Sequence, residues 1–342
     1  MADIDKLFDI DISSGLGLWD ETINTFYSKV MDLDVVVGGL LQRGVNFCGA
    51  TTATRTGMIE YITINSAGNA AQFGDISGSK VARWCGGMSN GGNDRGLMGW
   101  TDDSNWIEYI TISTTGDGVD FGNTFVANKG YAQGTSNGSN ERGVTMGGYT
   151  GSYKVDIDYI NISTLSNALD FGDWRTATFA MGQTSNYTNE RAIGFGGVAG
   201  GSYITQIDYI TINSTGNSQN FDDLLTTLGG CCGLSNGTNE RGVCCGGYDG
   251  GNRVKTMEYI TINSAATAID FGDLLDERYG PMPCSNNTDE RGVIMGGQDN
   301  VPAYVETIDY ITINSPATAT DFGDLYNNVA RGTGGGFSNS GA

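Results

Sequence analysis

The chain has 342 residues, including 54 Gly, 4 Pro, 7 Cys and no His, and its 18 Lys plus Arg against 39 Asp plus Glu give a formal net charge of -21. Without histidine, mechanisms that need an imidazole base and zinc sites with His ligands are excluded. The acidic balance opposes the neutralisation of phosphates by Lys and Arg, so neither nucleic acid nor an anionic membrane is an expected partner.

The start, Met1-Ala2-Asp3-Ile4-Asp5-Lys6, lacks the basic and apolar regions of a secretory signal, so assembly in cytoplasm is expected. No apolar run approaches the roughly 18 residues of a membrane span, and no membrane insertion is expected. Hydrophobic residues at 39% with 10% aromatics suit a large strand-rich core.

Residues 1–42 stand apart from the rest. Between Trp19 and Leu33, the residues Trp19, Ile23, Phe26, Tyr27 and Val30 recur at helical spacing behind Asp20 and Glu21, which predicts a short amphipathic helix. Such a segment serves either as an attachment arm, with those five side chains as the docking contacts, or as a cap on one face of the remaining domain.

From residue 43 onward the chain repeats. The string Glu60-Tyr61-Ile62-Thr63-Ile64 recurs with its Tyr at 109, 159, 209, 259 and 310, at steps of 48, 50, 50, 50 and 51 residues. Each copy follows a strand that opens at an Arg (43, 95, 142, 191, 241, 291) and runs toward small residues such as Gly147-Gly148 and Gly296-Gly297. Each is followed by a closing aromatic, as in Asp170-Phe171-Gly172, and then by one more short element. Four strands per unit result. In Ile157-Asp158-Tyr159-Ile160-Asn161-Ile162 both faces carry apolar side chains, so the strand is covered on two sides. Radial repetition of four-stranded blades meets that requirement and leaves only short edges. The expected fold is all-β, a six-bladed β-propeller over 43–342 with 24 strands. The segment Arg331 to Asn339 matches the element that the first unit lacks, so the C-terminal strand should complete the N-terminal blade and close the ring.

The Arg-led strand ending in Gly-Gly, the tyrosine strand and the closing aromatic over residues 43–339 resemble the kelch-like propeller pattern, with Phe121, Phe171, Phe221, Phe271 and Phe322 where kelch repeats close with Trp. Tandem Asp309-Tyr310-Ile311-Thr312-Ile313 and Asp321-Phe322-Gly323-Asp324-Leu325 are similar to repeats in virion proteins of tailed bacteriophages, especially marine ones. That resemblance implies a structural or adhesive virion protein, whether tail fibre, baseplate, collar or capsid decoration, and virion localisation after assembly in host cytoplasm.

Several motifs invite chemistry and fail on context. Asp-Phe-Gly recurs in four copies without a kinase catalytic loop and reads as a turn with a packed Phe. Gly194-Phe195-Gly196-Gly197 lacks the helix that a dinucleotide fingerprint needs. Asp9-Ile10-Asp11 with Asp20 departs from a calcium loop at Ser14 and at Asp20 itself. Cys231, Cys232, Cys244 and Cys245 alternate between faces of neighbouring strands, and with Cys48, Cys85 and Cys284 read as buried thiols. The repeated Asn140-Glu141-Arg142 reads as a turn whose Arg pairs locally. No cofactor, metal or catalytic residue is expected, and the chain is read as non-enzymatic.

Recognition is expected in the connections between second and third strands, which vary between copies. They hold Asp102, Asp103 and Trp106, then Tyr149 and Tyr153, Tyr203, Tyr248 and Arg253, and Gln298 and Tyr304. Aromatic and polar groups together suit a saccharide or a protein surface. The expected role is a virion module whose residues 1–42 dock to other virion proteins and whose loops meet a host glycan or protein. A homo-oligomer is compatible with this role; a kelch-like soluble interaction module and a glycan-binding or glycan-processing propeller are the alternatives.

Overall fold

The computed structural model describes residues 42–51, 53–102, 104–300, 303–326 and 332–340, with the backbone of two short strands before them. The chain divides into two units, Met1–Leu41 and Gln42–Ala342. In the first, Val35–Val36 pairs antiparallel with Gly39–Leu40. The helix expected from Trp19, and with it Ile23, Phe26, Tyr27 and Val30, lies outside the described residues.

The second unit is the six-bladed propeller that the repeat predicts, built from six four-stranded antiparallel sheets. In the third blade the strands run outward from the axis as Gly134–Ser136, Arg142–Met146, Asp156–Asn161 and Leu169–Asp173. The ring closes as expected, because Gly335–Ser338 lies antiparallel to Arg43–Phe47 with Phe337 opposite Val45. An additional short strand, Val198–Ala199, joins the fourth blade.

The two-sided strands explain where the core sits. Ile157 packs with Phe171 and with Ile210 of the following blade, whereas Ile160 and Ile162 pack with Leu97 and Phe121 of the preceding one. Six apolar cores result, one at each junction between blades. Asp-Phe-Gly proves to be a β-bulge: Ile157 faces Gly172 and Asp158 faces Asp170, which leaves Phe171 as the extra residue turned into the core. The same shift recurs in all six blades. Gly172 has φ 142, and a Cβ there would stand 2.6 Å from the Gly216 carbonyl oxygen of the next blade, so the junction requires glycine.

The Asn-Glu-Arg turn does more than pair locally, and here the structure corrects the sequence expectation. Asn137 Oδ1 accepts the Arg142 backbone N–H at 2.7 Å, while Asn137 Nδ2 donates at 2.9 Å to Glu190 of the next blade. The Arg142 guanidinium lies 4.7 Å over its own Tyr159 and donates at 3.1 Å to the Ile212 carbonyl of the next blade. Spacing alone could not show this, because the partners are about a repeat length or more away. At the same end of the ring every innermost strand finishes in a serine, and five of the six reach the preceding blade, the buried Ser285 Oγ having no hydrogen-bond partner among the described residues. Ser136 Oγ donates to the Ser89 carbonyl at 2.5 Å and Ser185 Oγ to the Ser136 carbonyl at 2.6 Å, with the same contact from Ser89, Ser235 and Ser338.

One acidic side chain per blade is buried in the tyrosine strand: Glu60, Glu108, Asp158, Asp208, Glu258 and Asp309. Asp158 meets Lys129 Nζ at 2.8 Å and Trp100 Nε1 at 3.1 Å, Asp208 meets Arg175 at 2.8 Å, and Asp309 meets Arg278 at 2.5 Å. Glu258 instead accepts the backbone N–H groups of Leu225 and Thr226 at 2.7 and 3.1 Å. These bonds tie each blade to the chain entering it. Burial pushes the carboxyls of Asp208, Glu258 and Asp309 above the ordinary range, against the pull of their donors.

Two measurable consequences follow from this packing. A raised carboxyl binds its proton more tightly in the folded chain than in the unfolded one, so its contribution to stability is lost as pH rises from the ordinary carboxylate range through the raised value. Glu258→Gln should leave the urea midpoint near pH 4 little changed and raise it at pH 7; an equal loss at both would show that the charge itself is required. Phe337→Ala, which empties a buried site in the closing strand, should cost about 3–5 kcal/mol in denaturant unfolding.

Candidate functional site

At the end of the ring opposite the serines, the chain enters each innermost strand through one left-handed residue. These are Trp84, Tyr131, Ala180, Gly230, Gly280 and Thr333, with φ between 55 and 66. Their backbones form a closed circle of hydrogen bonds. Tyr131 N donates to Trp84 O at 3.0 Å, Ala180 N to Tyr131 O at 3.0 Å, Gly230 N to Ala180 O at 2.7 Å, Gly280 N to Gly230 O at 2.8 Å, Thr333 N to Gly280 O at 2.7 Å, and Trp84 N to Thr333 O at 2.5 Å. Bulky side chains rarely occupy this region of φ, so Trp84 and Tyr131 are held there by the circle. Within it, Gln133 crosses the axis, donating to the Cys231 carbonyl at 3.0 Å and accepting the Gln183 N–H at 3.1 Å. A cavity of about 30 Å³ beside it, lined by Trp84, Tyr131 and Gly280, has room for a water or two.

Eight aromatic rings form a continuous row on this face. Tyr153 stacks on Phe179 at 5.1 Å between centroids, Phe179 meets Tyr131 at 5.3 Å, and Tyr131 stacks on Trp84 at 4.1 Å. Trp84 meets the Tyr279 ring edge-on at 5.4 Å, Tyr279 meets Tyr248 at 6.5 Å, and Tyr248 meets Tyr203 at 5.1 Å; Tyr149 sits against Phe179 at 5.2 Å. All eight are half-buried, presenting part of their surface while packed on one another. Burial pushes the phenols of Tyr131, Tyr203 and Tyr279 upward, so they remain neutral hydroxyl donors at physiological pH. The Trp84 indole N–H is buried with no hydrogen-bond partner among the described residues, an unsatisfied donor of the kind that marks strain or a binding site.

Polar groups flank the row. Asp102 is shared by Arg55 and Arg83, each at 3.2 Å. On the other side Arg253 lies opposite Tyr248 in the hairpin register and donates to Gln298 Oε1 at 2.8 Å.

The loop residues expected from sequence therefore separate into groups. Tyr149, Tyr153, Tyr203 and Tyr248 join the aromatic row, and Arg253 and Gln298 pair beside it, with Tyr304 bridged to Gln298 through the backbone. Asp102 is engaged by two arginines, and Trp106 lies in its strand beneath Lys80 and against the core of the first junction. Asp103 lies outside the described residues. Sequence reasoning missed Trp84, Tyr131, Phe179 and Tyr279, which enter from the connections between blades. Their signal was present: four of the six junctions carry an aromatic at or just before the left-handed position.

No protein-family model matches the chain, and comparison with curated proteins finds no match.

Gly230 makes room for the row, because a Cβ there would stand 2.0 Å from the Tyr279 ring. Gly230→Ala should displace Tyr279 from Trp84 and Tyr248. The expected readout is a changed near-ultraviolet circular dichroism signal, with an unfolding midpoint lowered by about 1 kcal/mol from the strained φ.

Proposed function

We propose that this chain is a non-enzymatic recognition protein of a tailed-bacteriophage virion, with the aromatic face turned toward a saccharide or protein on the host surface. The observation that carries the reading is the row of eight half-buried rings, centred on two strained aromatic residues at the axis. Aromatic side chains supply contact area at low entropic cost, and two bulky rings held side by side at positive φ in the axial circle point to binding there. The propeller fold is compatible with an interaction module, and the wording of the repeat supplies the virion setting. The buried carboxylates serve the junctions between blades, which supports binding without turnover.

In this reading residues 1–42 attach the protein to another virion component through Trp19, Ile23, Phe26, Tyr27 and Val30. Cryo-electron microscopy of native particles should then find the chain at ordered symmetric positions with the aromatic face outward. Absence from every particle would overturn the virion setting and leave a kelch-like soluble interaction module. For the face itself, Trp84→Gly keeps a residue suited to the left-handed backbone while removing the central ring. It should weaken binding of the purified chain to host cells about tenfold, given stacking worth roughly 1–1.5 kcal/mol, with the unfolding midpoint read in parallel. Unchanged binding would rule out the face.

A further inference from the structure

We infer that the aromatic face takes a neutral oligosaccharide bearing acetamido groups, with one acetyl group seated in the axial cavity, and this rests on the recognition reading above. Trp84 and Tyr131 belong both to the row and to the wall of that cavity, so the stacking surface and the cavity are contiguous.

Two polar groups of this wall are left over by the fold. The Trp84 indole N–H and the Thr333 hydroxyl are both buried, and neither has a hydrogen-bond partner among the described residues. The two residues are neighbours in the axial circle, where Trp84 N donates to Thr333 O at 2.5 Å. A buried polar group costs free energy until something bonds to it, so two such groups on one cavity favour an arriving ligand that satisfies both. Gln133, which shares the wall, is already engaged through its nitrogen by the Cys231 carbonyl and through its oxygen by the Gln183 N–H.

The remaining wall fixes the chemistry of the ligand. No Asp, Glu, Lys or Arg lines the cavity, so an ionic group would enter without a counter-charge. Ala180, Met181, Cys231 and Pro281 supply apolar surface. The indole N–H requires an acceptor, the threonine hydroxyl gives or takes a hydrogen bond, and the apolar surface suits a methyl. An acetamido group gathers a carbonyl acceptor, an N–H donor and a methyl around one carbon, whereas a hydroxymethyl group would leave the apolar surface uncovered. At about 30 Å³ the cavity has the room of about two waters, which suits the carbonyl oxygen and methyl of one acetyl group and is far too small for a sugar ring. The rings therefore stay on the row, stacked by their C–H faces, with the acetamido group attached directly to one of them. An acetylated lysine would need a deeper channel, because its amide ends a four-carbon stem.

Full-length protein titrated with three oligosaccharides of one length and linkage tests the inference: an N-acetylhexosamine oligomer, the corresponding hexose oligomer and an N-pivaloylhexosamine oligomer, with an Nε-acetyllysine peptide as a fourth probe. The N-acetyl oligomer should bind about tenfold more tightly than either other sugar, and its methyl protons should receive the strongest saturation transfer from the protein. Thr333→Val, which keeps the branched shape and removes the hydroxyl, should lower affinity for the N-acetyl oligomer about five- to tenfold without lowering the unfolding midpoint. Trp84→Phe, which keeps a ring and removes the indole N–H, should reduce the same preference and serves if the first variant misfolds. Equal affinity for the N-acetyl oligomer and either other sugar, or a preference unchanged in both variants, overturns the inference while the recognition reading stands. Tightest binding of the peptide overturns it in favour of a protein ligand. If no saccharide binds while Trp84→Gly still weakens adsorption to cells, the inference fails and the recognition reading stands. If Trp84→Gly is also without effect, the recognition reading fails as well.

Discussion

Each apolar core of this ring belongs to two blades, so the burial of any tyrosine strand depends on a neighbour on either side. Ile157 and Ile160 lie on opposite faces of one strand and so in different cores. The hydrophobic effect is roughly proportional to apolar area removed from water, and a single blade would leave both faces of that strand wet. Closure is therefore the condition for stability. The pairing of Gly335–Ser338 with Arg43–Phe47 joins the two ends of the repeat and completes the junction formed by Ile62, Ile64, Val293 and Phe322.

Polar groups are arranged to enforce that closure. The serine contacts at one end and the circle of backbone hydrogen bonds at the other each run from blade to blade, and both pass through the closing strand at Ser338 and Thr333. Between them, every tyrosine strand carries one buried acid bound by the chain that enters its blade. A buried polar group left without a partner costs more than a bonded one contributes, so these contacts specify the arrangement of blades more than they add to its stability. The same logic explains why the repeat tolerates substitution at the clamp only by groups that preserve an acceptor. Gln42 and Asp94 stand where the other four blades have Glu, and the Gln42 side-chain oxygen receives Asn286 at 3.0 Å.

The fold was legible because its constraints repeat. The two-sided apolar pattern of Ile157 to Ile162 required neighbours on both faces, and the missing element before Arg43 reappeared at the other terminus. The buried acids were not legible in the same way. Asp158 sits in the apolar pattern at a position that looks exposed by charge alone, and its partner Lys129 comes from a connection with no periodicity. The clamp partners were hidden for a related reason, since Asn137 meets Glu190 53 residues away. For the candidate site, variation between copies identified Tyr149, Tyr153, Tyr203 and Tyr248. It could not show that Trp84, Phe179 and Tyr279 join them, because ring geometry alone brings those connections to the axis.

Repetition and its interruption carry separate meanings in this molecule. Where every blade has the same residue, the residue serves the junction, as with the stacked arginines and bulged phenylalanines. At the axial circle the backbone repeats but the side chains do not. The fifth and sixth blades place Gly230 and Gly280 in the left-handed position, whereas the second and third place Trp84 and Tyr131 there at a conformational cost of order 1–3 kcal/mol each. A ring of six blades that needed only closure would favour glycine throughout. Ala180 and Thr333 also stand there, but the two bulky aromatic residues are the ones whose rings stack on each other at 4.1 Å in the middle of the aromatic row. The scaffold thus holds two side chains in conformations they would not adopt alone, and the surface they build is the asymmetric feature of an otherwise sixfold design.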